Sequence, residues 1–467
     1  MENQQKRSNF TGSIGFVLAA AGSAVGLGNI WRFPYLAAKD GGGVFLLCYV
    51  ILALTFGFTL LTTEIAIGRK TCQSPLTAYK ELSKKWGWIG YLAVIIPMLI
   101  LPYYSAIGGW ILKYLGSYVT GGATEMMSDG YFTGFITNPW EPIIWFFVFL
   151  LATTIIVYKG VNSGIEKISK LLMPILLVLI ACIAVFSLTL KSTDANGVTR
   201  TGIEGFMKYV IPDFTGMTFS KFFTILMDAM GQLFYSISVA MGIMITYGSY
   251  VKKETNLSKS VNQIEIFDTI VAFLAGMMIV PAVYAFMGEE GMAKGGPSLM
   301  FVSLPKVFGA MGNIGVVVAV VFFIMVVFAA LTSSISIMEA LVSSAMDKFR
   351  FTRKKATLII ASITFAIGLV VCFGYNFFYF DLALPNGSVG QVLDLLDYIS
   401  NYVLMPVVAI ATCLLIGWFV KPKTIIDEVT VNGEKFSRRQ LYNVMVKFVT
   451  PVMLFFLLLQ AFGLIKV

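Results

Sequence analysis

The chain contains no histidine. That excludes imidazole metal sites, His general bases and His proton relays. Charge is also scarce: Asp, Glu, Lys and Arg make up 13% of 467 residues, against 57% hydrophobic. With a mean hydropathy of +0.82, this composition is wrong for a soluble globule. It suits a helical membrane protein with many spans. Cysteine is sparse: Cys48, Cys182, Cys372 and Cys413 lie in apolar segments and Cys72 follows one. None has metal-ligand spacing, so all five read as unpaired thiols. The polar start of the chain runs directly into a full-length apolar segment, which predicts no cleavable signal. The net charge of +9 points to loops that obey the positive-inside rule and not to a nucleic-acid partner.

Eleven apolar segments stand out, near 13–37, 44–69, 87–118, 142–159, 166–190, 219–249, 264–288, 313–345, 355–375, 390–419 and 441–465. At about 1.5 Å per residue each can cross a ~30 Å hydrocarbon core. Lys and Arg cluster before segment 1 and after segments 2, 4, 6, 8 and 10, whereas 119–141 and 376–389 contain neither. The asymmetry predicts a cytoplasmic N-terminus and, after an odd number of spans, an outside C-terminus.

Two segments are flawed in the same way. Segment 1 carries Gly22, Gly26 and Gly28 at its middle, followed at once by Asn29 and Arg32. Gly costs about 1 kcal/mol relative to Ala inside a helix, and polar groups at membrane depth are costly and usually functional. Segment 6, five segments later, places Gly231, Gln232, Ser236, Ser238 and Gly242 at mid-span. Paired interruptions in two halves point to an inverted repeat with a site between them. The expected organisation is a cytoplasmic segment 1–12, a five-helix repeat over 13–190, a second, inverted repeat over 219–419, and an eleventh helix over 441–465.

Other residues suggest chemistry. Thr332, Ser333 and Ser334 sit together in segment 8. Their hydroxyls can bond back to their own helix, or serve as hard oxygen ligands for Na⁺. Asp268 is a lone carboxylate in segment 7, either a ligand or a residue near a helix end. Asn29 and Ser236 are candidate co-ligands. Arg32 with Asp397, and Arg7 with Asp347, can form ion pairs on opposite sides of a central site, or each can snorkel to water alone. Tyr103, Tyr104 and Tyr235 are mid-span aromatics whose hydroxyls need partners.

Gly22-Ser-Ala-Val-Gly-Leu-Gly-Asn-Ile-Trp-Arg-Phe-Pro34 closely resembles the first-span signature of the neurotransmitter:sodium symporters. The resemblance continues through Gly41-Gly42-Gly43, Glu64 with Gly68-Arg69, Tyr103-Tyr104, Gly231-Gln232, Leu331-Thr-Ser-Ser334 and Asp394-Leu-Leu-Asp397. It covers essentially the whole chain in order, and eleven spans resemble a bacterial amino-acid carrier. The resemblance implies an all-α integral membrane protein of the leucine-transporter type, with discontinuous helices 1 and 6.

It further implies two Na⁺ ions. One site would use Ala24, Asn29, Ser236, Asp268 and the substrate carboxylate. The other would use the carbonyls of Gly22, Val25 and Ala329 with the hydroxyls of Thr332 and Ser333. The substrate would meet Ser23, Ala24, Val25, Leu27, Gly28, Ile100, Tyr104, Tyr235, Ser236, Ser238, Met241, Ser333 and Ile337. Arg32 and Asp397 would be the outer gate; Arg7 and Asp347, near Tyr250, the inner one. Gly164 and Pro174 have the spacing that lets the start of span 5 unwind in this family.

The chain departs from the family at several positions. Asp268 stands where chloride-dependent relatives have Asn, so its charge can replace chloride. Tyr49, Gln232 and Ser236 resemble the rest of a chloride site, but Ala272 lacks a ligand hydroxyl. Phe10 replaces the usual Trp before span 1, which implies a weaker inner latch. Met241 follows Ala240 in the span 6 break, and Met is adaptable. The expectation is chloride-independent, Na⁺-coupled symport of hydrophobic or aromatic L-amino acids across a bacterial inner membrane by alternating access. The partners expected are the amino acid and the bilayer, with no nucleic acid and no obligate protein. A same-fold carrier of another small amine or amino acid, and more remotely a channel or sensor, are the alternatives. An enzyme is not expected, since no nucleophile–base pair or metal cluster can be assembled.

Overall fold

The computed structural model describes residues 9–194, 197–292 and 295–465. Among the described residues, nine of the eleven apolar segments form helices long and apolar enough to cross a membrane: Gly43–Thr71, Lys84–Val119, Glu141–Tyr158, Val161–Leu188, Leu257–Gly291, Asn313–Phe349, Arg353–Phe373, Val392–Phe419 and Arg439–Ala461. These are spans 2 to 5 and 7 to 11. Pro97 and Pro102 lie inside the span 3 helix without breaking it.

The two flawed segments are broken. Span 1 is a pair of helices, Ser13–Ala24 and Gly28–Lys39, bent by 54°. Its second half opens with a wide π-type turn over Gly28–Arg32. Span 6 comprises Phe219–Ser236 and Ile243–Gly248. Between them Ser238 (φ 54°), Ala240 (φ 65°) and Gly242 (φ 75°) take left-handed conformations. Such conformations are uncommon for Ser and costly for Ala. The surroundings must hold them, and the carboxylate of Glu64 in span 2 does so by accepting from the Ala240 amide at 2.5 Å.

Close backbone approach locks the second half of span 6 to span 2. A Cβ on Gly68 would stand 2.0 Å from the Ile245 carbonyl, and one on Gly248 2.3 Å from the Ile65 carbonyl. Small residues at such a crossing let helices associate by packing where no hydrophobic drive separates protein from lipid. Span 8 packs on spans 3, 4 and 5 and on the first half of span 1. Span 7 packs on span 5 and on both halves of span 1. The breaks of spans 1 and 6 therefore face each other between spans 3, 7 and 8.

Several elements outside the apolar segments went unread in the sequence. Lys191–Thr193 and Thr199–Thr201 pair as a hairpin, followed by helix Gly202–Val210. Thr201 and Glu204 form a capping box there, which satisfies exposed first-turn amides. Short helices over Gly296–Ser298 and Leu304–Ala310 lie between spans 7 and 8, and Lys423–Val429 between spans 10 and 11. The last of these is anchored by a fully buried Arg69, whose guanidinium donates to Glu428 at 2.8 Å and to the Thr255 carbonyl at 2.6 Å.

Candidate functional site

The break in span 1 frees backbone groups that an unbroken helix would consume. Carbonyls from one half and amides from the other then point at the same space. A small cavity lies there with about 30 Å³ of free space. Its walls include Ser23, Ala24, Leu27, Gly28, Ile100, Tyr104, Tyr235, Ser236, Ser238, Met241, Ser333 and Ile337, all expected around a substrate, plus Gly26 and Asn29. Among the described residues lining it, none is charged. Val25, also expected there, is buried and absent from the lining; its carbonyl instead faces the Ser333 hydroxyl at 3.4 Å.

On one side of the cavity stands Asp268, buried inside span 7 and away from any helix end. Its Oδ1 accepts from the Asn29 amide at 2.9 Å and lies 2.7 Å from the Ser236 hydroxyl. Its Oδ2 accepts from the Tyr49 hydroxyl at 3.0 Å. Buried charge requires such compensation. Gln232 donates to the Gly28 carbonyl at 3.0 Å and leaves its own Oε1 buried without a partner. Ala272 is fully buried on the same helix face.

On the other side, the Ser333 hydroxyl reaches across to span 1. It lies 3.1 Å from the Ser23 carbonyl and 3.4 Å from those of Gly22 and Val25. Thr332 instead bonds back to Phe328 at 2.9 Å and to the Ala329 carbonyl at 3.1 Å. The three hydroxyls thus take three different partners: Ser333 the span 1 carbonyls, Thr332 its own helix, and Ser334 the Thr153 hydroxyl at 3.1 Å. Thr332 still adjoins span 1, since a Cβ on Gly22 would stand 3.2 Å from its Cβ. Opposite, the Tyr104 hydroxyl accepts from the Leu27 amide at 3.5 Å.

A larger cavity of about 510 Å³ shares Tyr235 with the small one and is lined by Arg32, Asp228, Asn401 and Tyr402. Arg32 and Asp397 are not brought together: no nitrogen–oxygen approach within 4.0 Å joins them among the described residues. Asp397 accepts instead from Tyr103 at 2.9 Å and Asn401 at 2.5 Å, and the Arg32 guanidinium lies 5.9 Å from the Tyr402 ring centre. Hydrogen bonds from Tyr103 and Asn401 satisfy this half-buried carboxylate locally.

At the opposite end, Arg7 lies outside the described residues. Asp347 accepts from the Ser74 amide at 2.7 Å. The Tyr250 hydroxyl donates at 2.6 Å to Glu339, which Arg353 grips with two bonds at 2.7 and 2.8 Å. The sequence reading missed that Glu339–Arg353 pair; a carboxylate within the long span 8 was its only signal. Phe10 donates its amide to the Tyr250 carbonyl at 3.1 Å and packs on Phe16, Tyr247 and Tyr250 at ring distances of 5.7 to 6.1 Å. The start of span 5 widens into a π-type turn over Val161–Glu166, with Pro174 beyond it.

A profile of the sodium:neurotransmitter symporter family matches residues 7–125 and 136–466. The chain belongs to that family. An uncharacterized sodium-dependent transporter of Bacillus subtilis is 32% identical over 471 residues, covering 99% of this chain and all of that protein. A second, from Haemophilus influenzae, is 30% identical over 97% of both. The human sodium- and chloride-dependent GABA transporter 2 is 27% identical over 91% of this chain and 75% of its own. The crystal structure of MhsT in complex with L-phenylalanine superposes with a TM-score of 0.84, at 34% identity over 97% of this chain and all of MhsT. The symporter is therefore a multi-span membrane carrier of the leucine-transporter fold that uses Na⁺, and not an enzyme.

Proposed function

We propose that this symporter couples two Na⁺ ions to the inward transport of hydrophobic or aromatic L-amino acids without chloride. The observation that carries the reading is the juxtaposition of Asp268, Asn29 and Ser236 with an uncharged cavity walled by Tyr104, Tyr235, Ile100, Met241 and Ile337. MhsT, its structural neighbour, was crystallised with L-phenylalanine.

In this reading one Na⁺ is held by the Ala24 carbonyl, Asn29, Ser236, Asp268 and the substrate carboxylate. That carboxylate also meets Tyr104 and the amides of Leu27 and Gly28, at the positive start of a half-helix. The second Na⁺ is held by the carbonyls of Gly22, Val25 and Ala329 with Thr332 and Ser333. Carbonyl dipoles and hydroxyls replace hydration around a small cation. The first ion touches the substrate, so the two bind with mutual coupling. The amino group faces the carbonyls of Ala24, Tyr235 and Ser236 and the Ser238 hydroxyl, with no carboxylate opposing it. That favours amino acids over monoamines. The fixed charge of Asp268, already paired with Tyr49 and Ser236, takes the place of chloride. A bulky side chain needs Met241, Ile100 and Ile337 to yield, since the free space is about 30 Å³.

Residues 13–190 and 219–419 act as inverted five-helix units that alternate access. Arg32 with Asp397 and Tyr104 with Tyr235 close the outer route. Arg7, Asp347 and Tyr250 close the inner one. The protein sits in the inner membrane with its N-terminus cytoplasmic and its C-terminus outside. The test is radiolabelled phenylalanine uptake into proteoliposomes with and without a Na⁺ gradient, challenged by a panel of amino acids and amines. Na⁺-driven uptake suppressed by bulky apolar amino acids supports the reading. Uptake indifferent to Na⁺, or competed only by small amines, overturns it.

A further inference from the structure

The first half of span 1 opens on Gly12, which has no side chain to cap it, and no acidic residue stands in its first turn. The acceptor comes from span 5 instead. Glu166 takes the Thr11 amide on Oε2 at 3.0 Å and the Thr11 hydroxyl on Oε1. Lys170, one turn further along span 5, lies 2.6 Å from the same Oε1 and donates to the Thr11 hydroxyl oxygen at 3.1 Å. The carboxylate is buried, although Thr11 and Lys170 are exposed.

Span 1 leaves room for this carboxylate. A Cβ on Gly15 would stand 2.6 Å from the Glu166 Cδ, so a larger residue there must displace it. Seven residues on, a Cβ on Gly22 would stand 3.0 Å from the Met173 Sδ. Glu166 and Met173 are seven residues apart as well. The first half of span 1 thus lies on span 5 along one stripe about two turns long. The stripe runs from Thr11 to Gly22, whose carbonyl faces the Ser333 hydroxyl at 3.4 Å. Glu166 is also the last residue of the wide turn Val161–Glu166, which follows Gly160 at φ 93°. Wide π-type turns are rare and often stand at functional sites.

We propose that Glu166 is a positioning residue for the inner route. While the Val161–Glu166 turn is wound, its carboxylate holds the first half of span 1 in place; unwinding the turn withdraws the carboxylate and lets that half swing. The proposal rests on the alternating-access reading above. By reciprocity, a contact that holds span 1 on span 5 also holds the turn. A change confined to span 1 therefore loosens the start of span 5. Phe10 ties the neighbouring residue to the Tyr250 carbonyl just past span 6, so residues 10 and 11 are held from two sides. Withdrawing Glu166 removes one of those holds and leaves the helix itself intact.

Gly15→Ala and Glu166→Gln test this. The atoms in the way of the new Cβ are the end of a flexible side chain, so Gly15→Ala expels the carboxylate while the helices stay packed. Glu166→Gln keeps the shape and removes the charge. Hydrogen–deuterium exchange is followed by mass spectrometry on the purified full-length protein in Na⁺ buffer. Peptides over 9–16 should exchange several-fold faster in both variants than in the wild type. Peptides over 158–166 should also exchange faster in Gly15→Ala, although that residue lies on span 1. Thr11→Ser, which keeps both donors, should exchange as the wild type does. Bound phenylalanine should dissociate several-fold faster from both variants. Wild-type exchange over 9–16 in both variants overturns the proposal. So does faster exchange there with 158–166 unmoved in Gly15→Ala, or phenylalanine dissociation at the wild-type rate. The exchange readout needs no substrate, so its failure is distinct from failure of the function proposed above.

Discussion

Asp268→Asn removes one charge and almost no volume from the centre of the site. Three groups now address this carboxylate: Ser236 at 2.7 Å, Asn29 at 2.9 Å and Tyr49 at 3.0 Å. A neutral amide can accept from only one of its two ends, so Tyr49 or Asn29 must turn. Hydrogen bonds to a charged group contribute roughly 1.5–3 kcal/mol. A unit charge about 4 Å from a cation contributes up to about 4 kcal/mol at an effective dielectric of about 20. The retained amide oxygen returns part of this, which leaves a net loss of about 1.5–3 kcal/mol. At ~1.4 kcal/mol per decade, half-saturating Na⁺ for phenylalanine binding should rise roughly ten- to a hundredfold. Chloride should restore part of the affinity in the variant and leave the wild type unchanged. The assay is equilibrium binding of radiolabelled phenylalanine over a Na⁺ series, in chloride and in gluconate. An unchanged Na⁺ requirement would remove Asp268 from the ion site, and chloride dependence in the wild type would refute the charge-replacement argument.

Gly26→Ala should abolish high-affinity phenylalanine binding while the protein still folds, because the new Cβ would stand 2.9 Å from the Ser333 Oγ and 3.2 Å from the Tyr104 Oη; a loss under roughly tenfold in the same binding assay would show that the cavity wall yields. Thr332→Val keeps the shape and deletes a hydroxyl, so half-saturating Na⁺ should rise several-fold with the thermal midpoint nearly unchanged. Arg353→Met leaves Glu339, fully buried and gripped at 2.7 and 2.8 Å, without its cation; such a loss costs about 3–5 kcal/mol, so the thermal midpoint in detergent should fall, and adding Glu339→Gln should restore part of it.

The membrane class, the spans and the two breaks were legible in the sequence. Apolar length against bilayer thickness is a local property, and so is the cost of glycine and polar residues at mid-span. Asp268, Asn29 and Ser236 were legible as candidates because each is an anomaly in its own segment. Their convergence was not, since 239 residues separate Asn29 from Asp268. The resemblance to a family bridged that gap; spacing alone did not.

Tertiary structure decided the rest. It divided the hydroxyls of segment 8, sending Ser333 to span 1 and Ser334 to Thr153. It turned the Val25 side chain out of the cavity while presenting its carbonyl. It gave Asp397 to Tyr103 and Asn401 in place of Arg32. It also joined Lys39, at the end of span 1, to Asp228 in span 6 at 3.2 Å. The physical reason is common to all four. Sequence shows which groups are costly to bury, but the partner that compensates each one is chosen by helix packing, rotation and the exact path of a broken backbone.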